Sequence, residues 1–283
     1  MTSISVAIRQ VLEATDPYAK VKAARAAARG WRKGAFGPAD GSAMPDRPGR
    51  PAAPELLAPN LMPRRGKAGS QRARIALLHA LAHIEFIAID LAFDMAGRFG
   101  ASFPDAFTSD WLAVGADEAM HFALLDRRLR ALGSHYGALP AHDGLWEAAA
   151  ETAHDPLARL AIVPMVLEAR GLDVTPDMIA RADAAGDVAT ARILRRIFED
   201  EIRHVGAGTK WFEYGCNAAG EAPGFYWRAL VGRHFRGSLK PPFNDSARRR
   251  AGLTRDYYQV LASLSISPSG EGVRDAEGLR PGQ

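Results

Sequence analysis

The chain has 283 residues, a formal net charge of +4, 47% hydrophobic residues and a single cysteine. That length can bury a large core, and the lone Cys216 excludes an intrachain disulfide framework and a cysteine-rich zinc site. MTSISVAIRQ lacks a signal-peptide pattern, and no apolar run of about 18 residues is read along the chain, so the expectation is a cytoplasmic protein with no membrane partner.

Residues 3–31 show helical spacing and good helix formers such as Val6, Val11, Leu12, Ala23 and Ala24, which predicts one or two helices. From residue 33 to 69 the composition changes. GPADGSAMPDRPGRPAAPELLAPNLMPRRG is too rich in Pro and Gly for an element interior and reads as an extended strap over the core. Helical patterning then predicts helices near 71–99, 105–133, 155–171 and 176–215, separated by turn-rich stretches such as FGASFPD and HYGALPAHDG. Pro164 is expected to bend or break the third of these just before Glu168. A further helical piece is predicted near 222–233. RGSLKPPFNDSARRRAGL then reads as a loop entering a short helix, and SPSGEGVRDAEGLRPGQ as a disordered tail. The fold class is therefore all-α. A four-helix bundle is expected in residues 71–226, a helical segment and Pro-rich strap in 1–70, and a basic extension in 227–283.

Charge divides along the same lines, because Lys and Arg outnumber Asp and Glu about two to one in both end segments while the middle is acidic. The basic ends are open to three readings: an acidic partner such as nucleic acid, contact with the acidic middle, or plain solvation.

The chemistry is concentrated in a repeated pentapeptide, Asp117-Glu118-Ala119-Met120-His121 and Asp200-Glu201-Ile202-Arg203-His204, both inside predicted helices. Residues three apart on a helix share a face, so Glu and His at this interval can grip one ion. Glu118 and Glu201 are 83 residues apart, and so are Glu85 and Glu168. Each half thus repeats one unit, a Glu followed 33 residues later by Glu-x-x-His. Two such helices plus one Glu from each of two others is the ligand set of dimetal carboxylate bundles. Four carboxylates balance two divalent ions, which lets the cluster sit among apolar neighbours such as Leu78, Leu81 and Ile89 beside Glu85. The predicted metal ligands are Glu85, Glu118, His121, Glu168, Glu201 and His204. Oxygen and nitrogen donors suit iron and manganese alike and zinc less well; two iron ions are the expectation, with manganese or a mixed pair as the alternative. A metal-bound His donates its other ring N–H to a carboxylate, so Asp117 is expected to face His204 and Asp200 to face His121 across antiparallel helices.

HALAHIEFIAIDLAFD, DEAMH, PAHDGLWEAA, VLEARGLDVTP, DEIRHV and KPPFN give the chain a resemblance to the ferritin-like superfamily, and within it to a bacterial family of unassigned function. The resemblance spans most of residues 1–260. It implies the dimetal bundle on the six ligands above, with Met120 standing where some relatives place an arginine. Broader relatives include oxygen-activating hydroxylases, one of which modifies tRNA, and also desaturases, peroxidases and ferroxidases. The twin motif looks more like the oxygenase branch. It implies an oxygen-dependent oxidoreductase with a small-molecule or modified-nucleotide substrate, an electron-donor protein, and tRNA as one candidate partner. A ferroxidase or peroxidase, or a binding module with structural metals, are the other classes the same ligands allow.

Several further residues have two readings. His79 and His83 share a face with Asp90 and Asp94, away from Glu85, and are expected not to be ligands. Trp211 can relay an electron or simply pack; Gly115 and Gly208 can leave room for substrate or permit close helix packing. The KPPFN segment with Arg248, Arg249 and Arg250 can bind an acidic substrate or be a solvated face.

Overall fold

The computed structural model describes residues 1–63 and 69–266; the predicted disordered tail, residues 267–283, lies outside the described residues. The N-terminal stretch forms α1 (Ile4–Glu13), capped by the Ser3 side chain, and α2 (Pro17–Arg32), capped by Asp16 with Pro17 in its first turn. The Pro-rich stretch after α2 is held down by specific bonds. The Leu57 amide donates to Ala141 O at 2.8 Å, and the Ala141 amide donates to Glu55 O at 2.9 Å. Met44 is buried over Gly97, where any side chain would collide with its sulfur. Arg50 reaches Asp90 in the interior, which Lys20 of α2 also holds.

α3 (Gln71–Phe99) starts at a Ser70 cap and pairs along its length with α4 (Asp105–Ala131). From Glu85 to Gly97 every residue of α3 is buried. By length and composition this helix is apolar enough to cross a bilayer, which corrects the expectation that no such stretch exists; 67% of its most apolar window is nevertheless buried inside the protein. Its apolar surface is spent on the core, where each fully buried Leu or Phe contributes about 2 kcal/mol.

α5 (Gly144–Glu151) follows in a stretch whose preceding turn residues concealed it. α6 (Pro156–Ile162) then passes without a break into a π-helical stretch, Val163–Glu168, and into α7 (Ala169–Ala184). Pro164 brings this about: it lacks an N–H for the helical ladder, and its own carbonyl accepts from the Ala169 amide five residues on. The predicted gap between 171 and 176 is not there. Pro176 lies inside α7, and the Leu172 carbonyl that it leaves without a helical donor accepts instead from the Asn244 side-chain amide at 3.2 Å. The turn comes later, at Gly186 with φ 68°, before α8 (Val188–Ala219), which ends at the left-handed Gly220. α7 and α8 pack as a pair, and α8 also lies against α4. α9 (Pro223–His234), α10 (Asp245–Arg250) and α11 (Arg255–Ile266) complete the chain. Among the described residues the fold is all-helical, with two isolated bridges, Ser3 with Gly37 and Leu56 with Ala141, and no strand.

Candidate metal centre

Glu85 comes from the middle of α3, Glu118 and His121 from α4, Glu168 from the last position of the π-helical stretch, and Glu201 and His204 from α8. Ligand atoms of Glu85, Glu118, His121 and Glu201 lie within 4.8 Å of one another in a buried group that can hold a metal ion. His121 Nδ1 is 3.1 Å from Glu85 Oε2 and 3.3 Å from Glu118 Oε2. His204 sits on the other side of Glu118, with Nδ1 2.9 Å from Glu118 Oε1 and 3.7 Å from Glu201 Oε1. Glu118 thus turns one oxygen to each imidazole. Glu168 stands apart, making no side-chain hydrogen bond or ion pair among the described residues.

Four buried atoms here lack a hydrogen-bond partner: Glu118 Oε1, Glu168 Oε2, Glu201 Oε2 and His204 Nδ1. Glu118 Oε1 and His204 Nδ1 lie 2.9 Å apart without an aligned hydrogen bond. Leaving such groups dry and unmatched is costly, and carboxylate oxygens and an imidazole nitrogen are atoms that a cation can satisfy. The electrostatics point the same way. Burial pushes Glu85 well above the usual carboxylate range, and the Glu118 charge adds to it. Burial likewise raises Glu168, helped by Glu201 and Glu118, and raises Glu201 beside Glu118. Glu118 goes the other way: burial opposes its charge, but His204 and His121 outweigh burial and hold it well below that range. Both imidazoles are held well above theirs despite burial, His121 by Asp200, Glu118 and Glu85, and His204 chiefly by Glu118 and Asp117.

The outer nitrogens face carboxylates across the two motif helices. His121 Nε2 lies 3.0 Å from Asp200 Oδ2, and His204 Nε2 lies 3.5 Å from Asp117 Oδ2. Asp200 also accepts from Arg196 and Arg203, and Arg203 reaches Asp117 at 3.3 Å. These two arginines were not singled out in the sequence, although Arg196 precedes Asp200 by four residues, the spacing of a helical ion pair.

The opposite face is open. A cavity of about 840 Å³ between α3, α7 and α8 is lined by Glu85, Glu118, Glu168 and Glu201, while neither His121 nor His204 lines it. Its walls are apolar, with Leu77, Leu81, Leu91, Val174, Leu194 and Ile197 among them.

The remaining candidates have other employment. His79 Nε2 accepts the Gly137 amide at 2.9 Å, and His83 lies between Tyr136 Oη and the His142 carbonyl. A methyl group on Gly115 would come within 2.5 Å of Phe93, and one on Gly208 within 2.5 Å of Pro164, so both glycines allow close packing. Trp211 is buried, donates to Asp110 at 2.8 Å and packs on Phe107. Arg248 is neither a solvated charge nor a free anion site: it is buried and grips Asp173 with bonds of 2.8 and 2.7 Å.

Fold and site together define an all-helical protein whose central helices bring buried glutamates and histidines into one cluster able to bind metal. The chain belongs to the DUF455 family, described as proteins of unknown function, whose pattern matches residues 13–259. It is 41% identical over 224 residues to an uncharacterized protein of Haemophilus influenzae, an alignment that covers 76% of this chain and 77% of that one. No solved structure matches the chain.

Proposed function

We propose that α3, α4, the run from α6 to α7, and α8 form a ferritin-like four-helix bundle holding two metal ions, with iron first and manganese or a mixed pair as the alternative. In this reading residues 71–226 are the bundle, and the two end segments cover it. Glu85, Glu118, His121, Glu168, Glu201 and His204 would hold the two ions. Bound there, such ions supply redox chemistry, the reduction of oxygen coupled to oxidation of an organic substrate, with electrons from a donor protein.

The chain's own part is positional. Asp200 and Asp117 accept the outer N–H of each imidazole and so aim Nδ1 inward. The apolar walls exclude water from the carboxylate face, which is where a substrate can approach. The observation that carries the reading is this division of faces: all four glutamates line a ligand-sized apolar cavity and both histidines are turned away from it. A protein that only oxidises iron or removes peroxide has no use for such a cavity, which favours an organic substrate.

The test is metal analysis of purified protein with anomalous scattering at the iron edge, followed by exposure of the reduced protein to oxygen. Two equivalents of iron and an oxygen-dependent absorbance change are expected, and Glu118→Ala should lose both ions. Full occupancy in that variant would refute the ligand assignment.

A further inference from the structure

The cavity has a polarity of its own. Its inner end is the four glutamates, and α3 and α7 carry it outward to Arg74 and Arg181, while Arg170 lies two residues past Glu168, near the inner end. Glu85 to Arg74 along α3 is about 16 Å and Glu168 to Arg181 along α7 about 20 Å, at 1.5 Å per residue. Two helices therefore give similar depths. Between the ends the surface is chiefly aliphatic, with Met178 beside the leucines already named.

The charges that line the cavity are unequally engaged. Asp173 is held by Arg248 and by the Asn244 amide, and Asp187 by Arg128 at 2.8 Å and by Thr190. Arg170 is tied to Asp173 and to the Lys240 carbonyl. Arg74 has one long contact, 3.5 Å, with the already shared Asp187. Arg181 has no ion-pair partner among the described residues, and neither has Asp177. Two loosely held guanidiniums and one carboxylate are left to meet a ligand.

We propose that this cavity binds a single-chain anionic amphiphile, its head group at Arg74 and Arg181 and its alkyl chain running inward along the aliphatic walls. Charge sets the direction, because the loosely held arginines at the mouth attract an anion, whereas four carboxylates balancing two divalent ions leave the inner end with no net charge to draw one. Depth sets the length: at about 1.3 Å per carbon the span corresponds to about 13–16 carbons, and the arginine side chains and head group take up the first few, so a chain of about a dozen reaches the glutamates. The assignment deepens the dimetal reading by naming its organic substrate as a molecule presented tail first.

The experiment is calorimetric titration of dodecanoate, hexanoate and dodecan-1-ol, below their aggregation concentrations, into iron-loaded protein and into the Arg74→Gln/Arg181→Gln double variant. Dodecanoate is expected to bind about ten-fold more tightly than the alcohol, a difference the double variant abolishes. Hexanoate should bind more weakly than dodecanoate in both proteins. In manganese-loaded protein the terminal methyl resonance of bound dodecanoate should broaden more than that of carbon 2. Equal affinity for acid and alcohol, indifference to the arginines, or the reverse order of broadening each overturns the proposal. Iron is counted in the same samples. Bound iron without dodecanoate binding overturns the ligand assignment alone, whereas dodecanoate binding without iron supports the cavity's ligand and removes the dimetal reading.

Discussion

Replacing Asp200 by alanine removes the carboxylate 3.0 Å from His121 Nε2 while leaving all six inward-facing groups in place. Asp117 occupies the matching position behind His204 at 3.5 Å, and its side chain is 24% exposed against 6% for Asp200. Loss of a carboxylate that orients a ligating His costs about 10- to 100-fold in metal affinity, or about 1.4–2.7 kcal/mol. The shorter and drier contact places Asp200→Ala toward the upper end of that range and Asp117→Ala at or below the lower. Arg203 touches both carboxylates, so the double variant should depart from additivity. Competition between the metal-free protein and a chromophoric chelator measures the affinities, with thermal unfolding of the metal-free variants as the control for folding. Wild-type affinity in Asp200→Ala, or a larger loss in Asp117→Ala, would show that these carboxylates do not orient the imidazoles.

Three other predictions concern the scaffold. Asp94→Ala strips the buried Arg159 guanidinium of its carboxylate at 2.6 Å and should cost about 3–5 kcal/mol in urea unfolding; a loss below about 1 kcal/mol would mean that water and the Thr152 and Ala149 oxygens satisfy it. Burial holds His79 down to about 4 from 6.5, and its Nε2 accepts the Gly137 amide, so the fold selects the neutral ring. Because the folded value lies below the unfolded one, this stability is complete above pH 6.5 and is lost as pH falls toward 4. His79→Gln should flatten the unfolding temperature over that window, and identical slopes in both proteins would count against the assignment. Gly115→Ala places a methyl 2.5 Å from Phe93 and should destabilise by about 1–3 kcal/mol in the same urea assay, whereas a neutral result would show that α3 and α4 can part at that point.

Much of the helical layout was legible because long stretches with helical spacing, bounded by turn-rich segments, announce themselves. α3 matches its predicted bounds, and α4 begins where Pro104-Asp105 predicts. The errors fall where distant residues decide local structure. Thr175-Pro176 reads as a helix start, yet α7 runs through it because Asn244, far along the chain, donates to the Leu172 carbonyl. α5 was missed because eight residues after a turn-rich stretch carry too little periodicity to stand out. At the site, the spacing of Glu and His identified side chains that the fold then brings near one another, since the three-residue interval is a property of any helix. The cavity was not legible. It arises where α3, α7 and α8 line a common space, and its polarity depends on which arginines already have partners.

The duplicated spacing makes the two halves of the site equivalent on paper, 33 residues from Glu to Glu-x-x-His in each. The structure makes them unequal. Glu85 sits on a regular helix and meets His121 at 3.1 Å, whereas Glu168 ends a π-helical stretch and has no side-chain partner among the described residues. A π-helical turn holds an extra residue relative to an α-helical one, so it rotates everything beyond it by roughly 100° and breaks the register that the sequence repeat implies. The cause is local and covalent, a proline at 164 without an N–H, and Gly208 on α8 leaves the space its ring fills. Glu168 and Glu201 are the two glutamates with an unmatched buried Oε2, and both line the cavity. The asymmetry therefore leaves two unmatched carboxylate oxygens at the inner end of the cavity. In the dimetal reading, that makes Glu168 and Glu201 the side with oxygens still unmatched toward the cavity, while Glu85, held by His121, is the better anchored one.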